Sequence, residues 1–404
     1  MQLGLALRNV FRNRRRTVFS LAVLVVGMSI LSLVLAFQGE FLRATRQSLA
    51  CETGAVQVAD ERLFESTATG YEYLISPAVL DAVLALVAKE EGVIGVAQQL
   101  SFAGLVGDEK GSTLIIGRGI VPCSCVQNYD CLVTTGDPLA KDASRQVILG
   151  ASLARKLNVK QGDRINIATG TVSGNFNAAT VDVVGELTYS LKEVEKQLGL
   201  FPISFVQRLL KTDGVERILI GLEDLGDAEA FSEHLQAALA SAGVPLTTRT
   251  WEELNPSYGS LRSFYAAFTG LTAIGIFVFV FFSVLEVLTI SFLERTREIG
   301  TLRAFGTTRW HVFRGFLLEG AILGLIGGLL GVVSGTGLAF LFNVLRITWI
   351  PPGAAIPQAI RLAIGADVVL IPFIVAIAAT IVSALYPSWK TARLRIVDAL
   401  RSTQ

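Results

Sequence analysis

The sequence predicts a helical membrane protein with four transmembrane spans and a large α+β domain outside the membrane. Composition, the placement of four apolar blocks and the distribution of arginine and lysine point there. The 404 residues are 51% hydrophobic and 17% charged, with a mean hydropathy of +0.55, too apolar for an ordinary soluble chain of this size. A formal net charge of +1 argues against nucleic acid as a partner. The apolar excess is concentrated in residues 18–37, 264–293, 315–342 and 366–387. Each block reaches the roughly 20 residues that cross a hydrocarbon core of ~30 Å. Buried helices of a soluble core rarely run so long without a polar face.

Basic residues set the expected orientation. Arg8, Arg12, Arg14, Arg15 and Arg16 precede the first block, Arg295, Arg297, Arg303, Arg309 and Arg314 separate the second from the third, and Lys390, Arg393, Arg395 and Arg401 follow the fourth. All three clusters share one side only if both termini and the 294–309 connection are cytoplasmic. The expected layout is a cytoplasmic amphipathic helix at 1–16, spans at 17–39, 263–293, 310–343 and 366–387, outward segments at 40–262 and 344–365, and a cytoplasmic tail at 388–404. The second span, about 30 residues and ~45 Å long, is expected to project outward as a stalk or to tilt. In the first segment Leu3, Leu7, Val10 and Phe11 recur at helical spacing while Arg8, Arg12 and Arg15 share another face. Such a helix lies on the cytoplasmic leaflet or forms the first turns of the span. The first span is expected to stay as an uncleaved anchor.

The outward segment 40–262 is long enough for its own core. Strand, helix and strand patterns at 54–59, 76–90 and 93–107, with a further strand at 112–121, open it; strand, helix and strand at 215–222, 227–243 and 244–251 close it. Two such units around a middle insert predict a split, ferredoxin-like lobe with a second lobe inserted at about 123–212. In the insert, "RQVILGASLARKLNVKQGDRINI" reads as strand, helix, turn and strand, and "ATVDVVGEL" alternates as a half-buried strand. "GDEKGST" (107–113) lacks the order of a phosphate-binding loop and reads as a turn. No catalytic constellation and no metal site emerge, so none is assigned. Cys51, Cys123, Cys125 and Cys131 all fall in this segment. Their spacing is unusual for a metal site, and disulfides in an oxidising compartment are the expectation. A Cys123–Cys125 bridge would close a strained small ring, so each is expected to pair with Cys51 or Cys131.

Within the spans, Gly320, Gly324 and Gly328 recur every four residues, as do Gly327, Gly331 and Gly335. Such rows let helices approach backbone to backbone, inside one chain or across a dimer seam. Glu286 and Glu319 sit in or near apolar runs, where an ionised group needs protein, water or an arginine. Phe277, Phe279 and Phe281 on the second span are candidate contacts for lipid or for the acyl chains of a substrate.

Between the second and third spans lies "ERTREIGTLRAFGTTR" (294–309), four arginines and two glutamates wedged between apolar runs. Ile299, Leu302 and Phe305 offer an apolar stripe among the charges, Gly306 suits a left-handed C-cap, and Thr307 or Thr308 an N-cap for the next span. Gly300 costs ~1 kcal/mol relative to alanine in mid-helix and permits close approach of another backbone. A short helix with that stripe, ringed by arginine, suits a partner with a groove.

The stretch "LERTREIGTLRAFGTTR…FLLEGAILGLIGGLLG" resembles the signature of ABC-transporter permeases of the MacB/FtsX type. "ALRNVFRNRRRT" (6–17), "VILGASLARKLNVKQGD" (147–163) and "LYPSWKTARLRIVDALR" (385–401) agree with it. Size and layout look most like the LolC/LolE lipoprotein-releasing permeases. The resemblance implies that 294–309 is the coupling helix, with Arg295, Arg297, Glu298, Ile299, Leu302, Arg303, Phe305 and Gly306 docking an ABC ATPase subunit. It also implies porter-like and Sabre-like lobes in the outer domain and a bacterial inner-membrane location. The ATPase is expected as a separate chain in two copies, binding ATP and Mg, so that this chain carries no cofactor and is not itself an enzyme. A second permease chain, identical or related, completes the assembly. The expected function is mechanotransmission that extracts lipoproteins from the outer leaflet of the inner membrane and delivers them to a periplasmic chaperone or adaptor. The alternatives are export of a periplasmic peptide or small amphiphile through an adaptor and outer-membrane channel, and non-transporting regulation of a cell-wall hydrolase.

Overall fold

The computed structural model describes residues 14–65, 71–108, 111–121, 126, 133–140, 145–188, 192–349 and 358–393. In chain order its main elements are α1 (Arg14–Thr53), β1 (Val56–Ala59), α2 (Pro77–Val87), β2 (Val93–Asp108), β3 (Gly111–Ile120), β4 (Val133–Gly136), β5 (Gln146–Gly150), α3 (Ala151–Leu157), β6 (Arg164–Gly170), β7 (Phe176–Leu187), β8 (Leu198–Pro202), α4 (Ile203–Leu210), β9 (Arg217–Leu222), α5 (Ala228–Ser241), β10 (Thr247–Thr250), α6 (Pro256–Glu294), α7 (Thr296–Ala304), α8 (Arg309–Leu345) and α9 (Ala366–Ala392). They form two compact units: residues 1–43, 261–348 and 359–404, and residues 44–260 and 349–358. The 1–16 amphipathic segment up to residue 13, Cys123, Cys125 and Cys131 lie outside the described residues.

Among the described residues four helices, α1, α6, α8 and α9, are long and apolar enough to cross a membrane. Each outruns the span read from hydropathy, α1 and α6 by the most. α1 does not stop near 39 but continues past Gly39 through "EFLRATRQSLACET", which contains neither proline nor glycine, until Gly54 turns the chain at φ +75°. α6 begins at Pro256, not 263, because proline's fixed φ suits a first helical turn. At 40 and 39 residues and a rise of ~1.5 Å each, both are about 60 Å long, twice the hydrocarbon core.

Packing in the first unit is set by α8. Gly320, Gly324 and Gly328 face α9: a Cβ on Gly320 would come within 2.7 Å of the Ala384 Cβ, one on Gly328 within 3.0 Å of the Ala376 Cβ, and one on Gly324 would collide with the Thr380 hydroxyl. The second row faces α1, where added Cβ atoms on Gly327, Gly331 and Gly335 would come within 2.6 Å of Leu24, 2.5 Å of Met28 and 2.7 Å of Ser32. Both rows are thus used inside the chain, and α8 is the central helix. Small hydroxyls join the spans, as favoured in lipid: Ser29 donates to the Gly331 carbonyl (3.1 Å), Ser32 to that of Val368 (3.1 Å) and Ser383 to that of Phe281 (2.9 Å). α1 and α6 run antiparallel, with Phe41 against Tyr265 (ring centroids 5.2 Å apart), a Gln38–Thr269 hydrogen bond, and Leu24, Met28, Val280 and Val284 in one core.

The second unit is built on one branched sheet. Its first part has the strand order β10–β1–β9–β2, every neighbour antiparallel. α2 and α5 connect strands that are not sheet neighbours, so each β-α-β unit is split by an intervening strand. The long β2 serves twice. Residues up to Gln99 pair with β9, and Leu100–Asp108 pair with β3 and, in part, with β6. From there β2, β3, β8, β5, β7 and β6 pair in a closed ring, which removes free edges among those strands. Phe102, Val106, Ile115, Val147, Leu149, Ile165, Ile167, Val181 and Phe201 fill its interior with Phe205, Val206 and Leu209 of α4. Gly117 is required there: the Phe102 ring occupies the place of its Cβ.

Candidate functional site: the charged helix between two spans

α7 is a short amphipathic helix between α6 and α8. Gly306, at φ +95°, reverses the chain after it. Thr308 then caps α8, its hydroxyl accepting from the His311 N–H (3.3 Å).

The three apolar residues of α7 do not form one outward stripe. Ile299 is 6% exposed and packs in the core with Leu288, Phe292 and Phe316, whereas Leu302 is 56% and Phe305 86% exposed. Helical geometry explains the split. Each three-residue step falls about 60° short of a full turn, so Phe305 points about 120° away from Ile299. Gly300 is buried beside Ile299, so its open face meets the bundle and not a partner's backbone. Trp310, 62% exposed and stacked on Phe313 (5.3 Å), begins α8 just beyond the turn. Leu302, Phe305 and Trp310 are therefore the large outward apolar residues of this segment, with Arg297, Glu298 and Arg309 also exposed and Arg303 half-buried. Trp310 was not among the residues expected from sequence. Its signal was an aromatic two residues after the capping threonine, read instead as the start of a span.

The base of α7 is anchored by charge. Arg295, directly before the helix, donates from Nη1 to both carboxylate oxygens of Glu319 on α8, at 3.0 and 3.2 Å. The side chains are 14% and 7% exposed. Its guanidinium also lies 5.6 Å from the centroid of the Phe316 ring, which packs against Phe292 at 4.0 Å. One residue earlier, Glu294 pairs with Arg16 of α1 at 2.6 Å. Thus Arg295 does not belong to an outward docking face. Glu319 meets an arginine, one of the partners expected for it, although sequence alone did not say which.

Among the candidate substrate contacts on α6, only Phe279 is well exposed, at 58%. Phe277 and Phe281 stack on each other at 6.5 Å and are half-buried, with Phe277 against the bundle core. Phe282, 61% exposed, shares the outer ridge with Phe279. Glu286 lies on that ridge too. Cys51 is exposed near the end of α1.

The "FtsX-like permease C-terminal" family profile matches residues 270–396, from within α6 to beyond α9. The lipoprotein-releasing system transmembrane protein LolC of Xylella fastidiosa is 24% identical over 79% of this chain and 80% of its own length. The macrolide export ATP-binding/permease protein MacB of Syntrophobacter fumaroxidans is 26% identical over 63% of this chain, but over only 34% of its own length. Among solved structures, the periplasmic region of MacB from Actinobacillus actinomycetemcomitans aligns with 52% of this chain and 94% of its own, at 12% identity and a TM-score of 0.39. The chain thus carries an FtsX-like permease C-terminal domain over most of α6 and all of α7, α8 and α9, and it is similar to proteins named LolC and MacB.

Proposed function

We propose that this chain couples ATP hydrolysis by a separate ATPase subunit to conformational change outside the membrane, with α7 as the docking element. The observation that carries this reading is the outward pair Leu302 and Phe305 on a helix whose other face is held in the bundle by Ile299 and Arg295. A surface of that kind binds by placing apolar anchors in a partner's groove while the exposed arginines set register at the rim. In this reading α7 and both termini are cytoplasmic, the β-rich unit is periplasmic, and the membrane is the bacterial inner membrane. ATP and Mg belong to the ATPase, present in two copies, and a second permease chain completes the assembly. The antiparallel β10–β1–β9–β2 order with two crossing helices supports a ferredoxin-type, porter-like lobe. The closed six-strand ring, which starts at Leu100 of β2 and takes in β3 as well as the 123–212 stretch expected for the insert, is read as the inserted, Sabre-like lobe.

The cargo class we favour is a lipid-anchored protein, taken from the outer leaflet and passed to a periplasmic chaperone or adaptor. Similarity extends over most of a lipoprotein-releasing protein but over about a third of a macrolide exporter. The exposure of Phe279 and Phe282 on the outer ridge of α6 supports them as the contacts for acyl chains. α1 and α6, each long enough to leave the bilayer, would carry motion from α7 outward without passage of substrate along a central pore.

Replacing Leu302 and Phe305 together with aspartate tests the docking element. The account expects the ATPase to be lost on co-purification while the permease inserts normally. Retained co-purification would remove α7 from the interface.

A further inference from the structure

The joint between α6 and α7 is held more firmly than a solvated connection needs. Two consecutive residues there are clasped to two different helices, Glu294 to Arg16 of α1 and Arg295 to Glu319 of α8. The second pair is enclosed: its side chains are 14% and 7% exposed, and the Arg295 guanidinium lies 5.6 Å from the centroid of the Phe316 ring, which in turn packs on Phe292. Arg295 Nε lies 3.7 Å from Glu298 Oε2 and makes no hydrogen bond among the described residues, so Glu319 provides most of the compensation for this buried charge. Removing one partner of such a pair strands the other in an apolar setting, whereas an exposed pair can be broken at little cost.

Glu319 lies one residue before Gly320, where the glycine row against α9 begins. The ion pair therefore ties the base of α7 to the central helix of the bundle. We propose that Arg295 and Glu319 are positioning residues that fix the angle at which α7 leaves α6. A push on Leu302 and Phe305 is then delivered to α8, and through its glycine rows to α1 and α9, and is not absorbed by bending at the joint. Neither residue touches the ATPase in this account. The consequence for coupling rests on the docking role proposed above, while the clamp itself does not.

The test separates the two. Hydrogen–deuterium exchange is measured on backbone amides 296–306 of the full-length permease in lipid nanodiscs without any ATPase. Glu319→Gln and Arg295→Gln, which break the pair from either side, are each expected to speed exchange on the order of tenfold, because local opening sets the rate. Arg295→Lys, or the exchange of Arg295→Glu with Glu319→Arg, is expected to restore slow exchange. Wild-type rates in both glutamine variants, or no recovery in either charge-retaining variant, would overturn the clamp. If one glutamine variant fails to insert, the other decides. With the co-purifying ATPase added, the glutamine variants are expected to bind it as wild type does but to lose most of the permease-dependent change in its turnover. Loss of binding in proportion to loss of turnover would make Arg295 and Glu319 docking residues and overturn the positioning role. Failure of wild type to bind any ATPase would overturn the docking role and leave the exchange result to decide the clamp.

Discussion

Gly331 of α8 lies so close to Met28 of α1 that a Cβ on the glycine would sit 2.5 Å from the Met28 Cβ. Real carbon atoms do not approach that closely, so any side chain at 331 must push α1 and α8 apart. Gly331→Leu is expected to destabilise the bundle by about 1–3 kcal/mol or more through overpacking. Gly275→Ala provides the contrast, since an added Cβ there meets nothing within 4 Å. It should be neutral, or stabilising by up to ~1 kcal/mol through helix propensity. Thermal unfolding midpoints of the two variants in one detergent check the pair, and equal midpoints would remove the packing role of the second glycine row.

The orientation carries its own test. A cysteine introduced by Arg303→Cys should be shielded from a membrane-impermeant thiol reagent in intact cells, and one introduced by Pro352→Cys should be labelled. The opposite pattern would invert the topology and place α7 away from any cytoplasmic ATPase.

For Cys51, Cys123, Cys125 and Cys131, mass mapping under non-reducing conditions is expected to find disulfides in protein taken from its native membrane. If the bridges involve Cys51, reduction should loosen the tie between the end of α1 and the 123–131 segment and lower the thermal midpoint by a measurable amount, since closing a long loop contributes about 2–4 kcal/mol. Four thiols in the native protein would end the disulfide reading.

Much of the architecture was legible from periodicity. Strands near 93–107 and 112–121 and the helix near 227–243 fall close to β2, β3 and α5, because alternating or 3.6-residue apolar patterns bury one face only in the matching structure. The extension of α1 and the start of α6 at Pro256 were not, because hydropathy marks where lipid ends and not where a helix ends, although the length of the 264–293 block already implied a stalk or a tilt. Ile299 shows a second limit. Spacing by three suggested one stripe, but over three such positions the helix turns far enough to send Ile299 inward and Phe305 outward. The Arg295–Glu319 pair joins residues 24 positions apart on different helices, and no local pattern specifies such a partner. Trp310 was absorbed into a hydropathy window although its side chain points outward.

On α6 the division between inward and outward aromatics gives a specific expectation. A photo-reactive phenylalanine analogue at 279 or 282 should capture acylated species or lipid, while the same analogue at 277 should crosslink within the chain, where that ring packs on the bundle core. Equal capture at all three positions would mean that α6 has no distinct outer ridge in the membrane.

The central claim is tested most directly by purifying the permease from its native membrane with its ATPase blocked before release, and identifying every bound species by mass spectrometry. The account predicts an ATPase subunit together with an acylated polypeptide at near-stoichiometric level. An ATPase accompanied by an adaptor or a hydrolase and no acylated cargo would contradict lipoprotein extraction, and no ATPase at all would contradict the role given to α7.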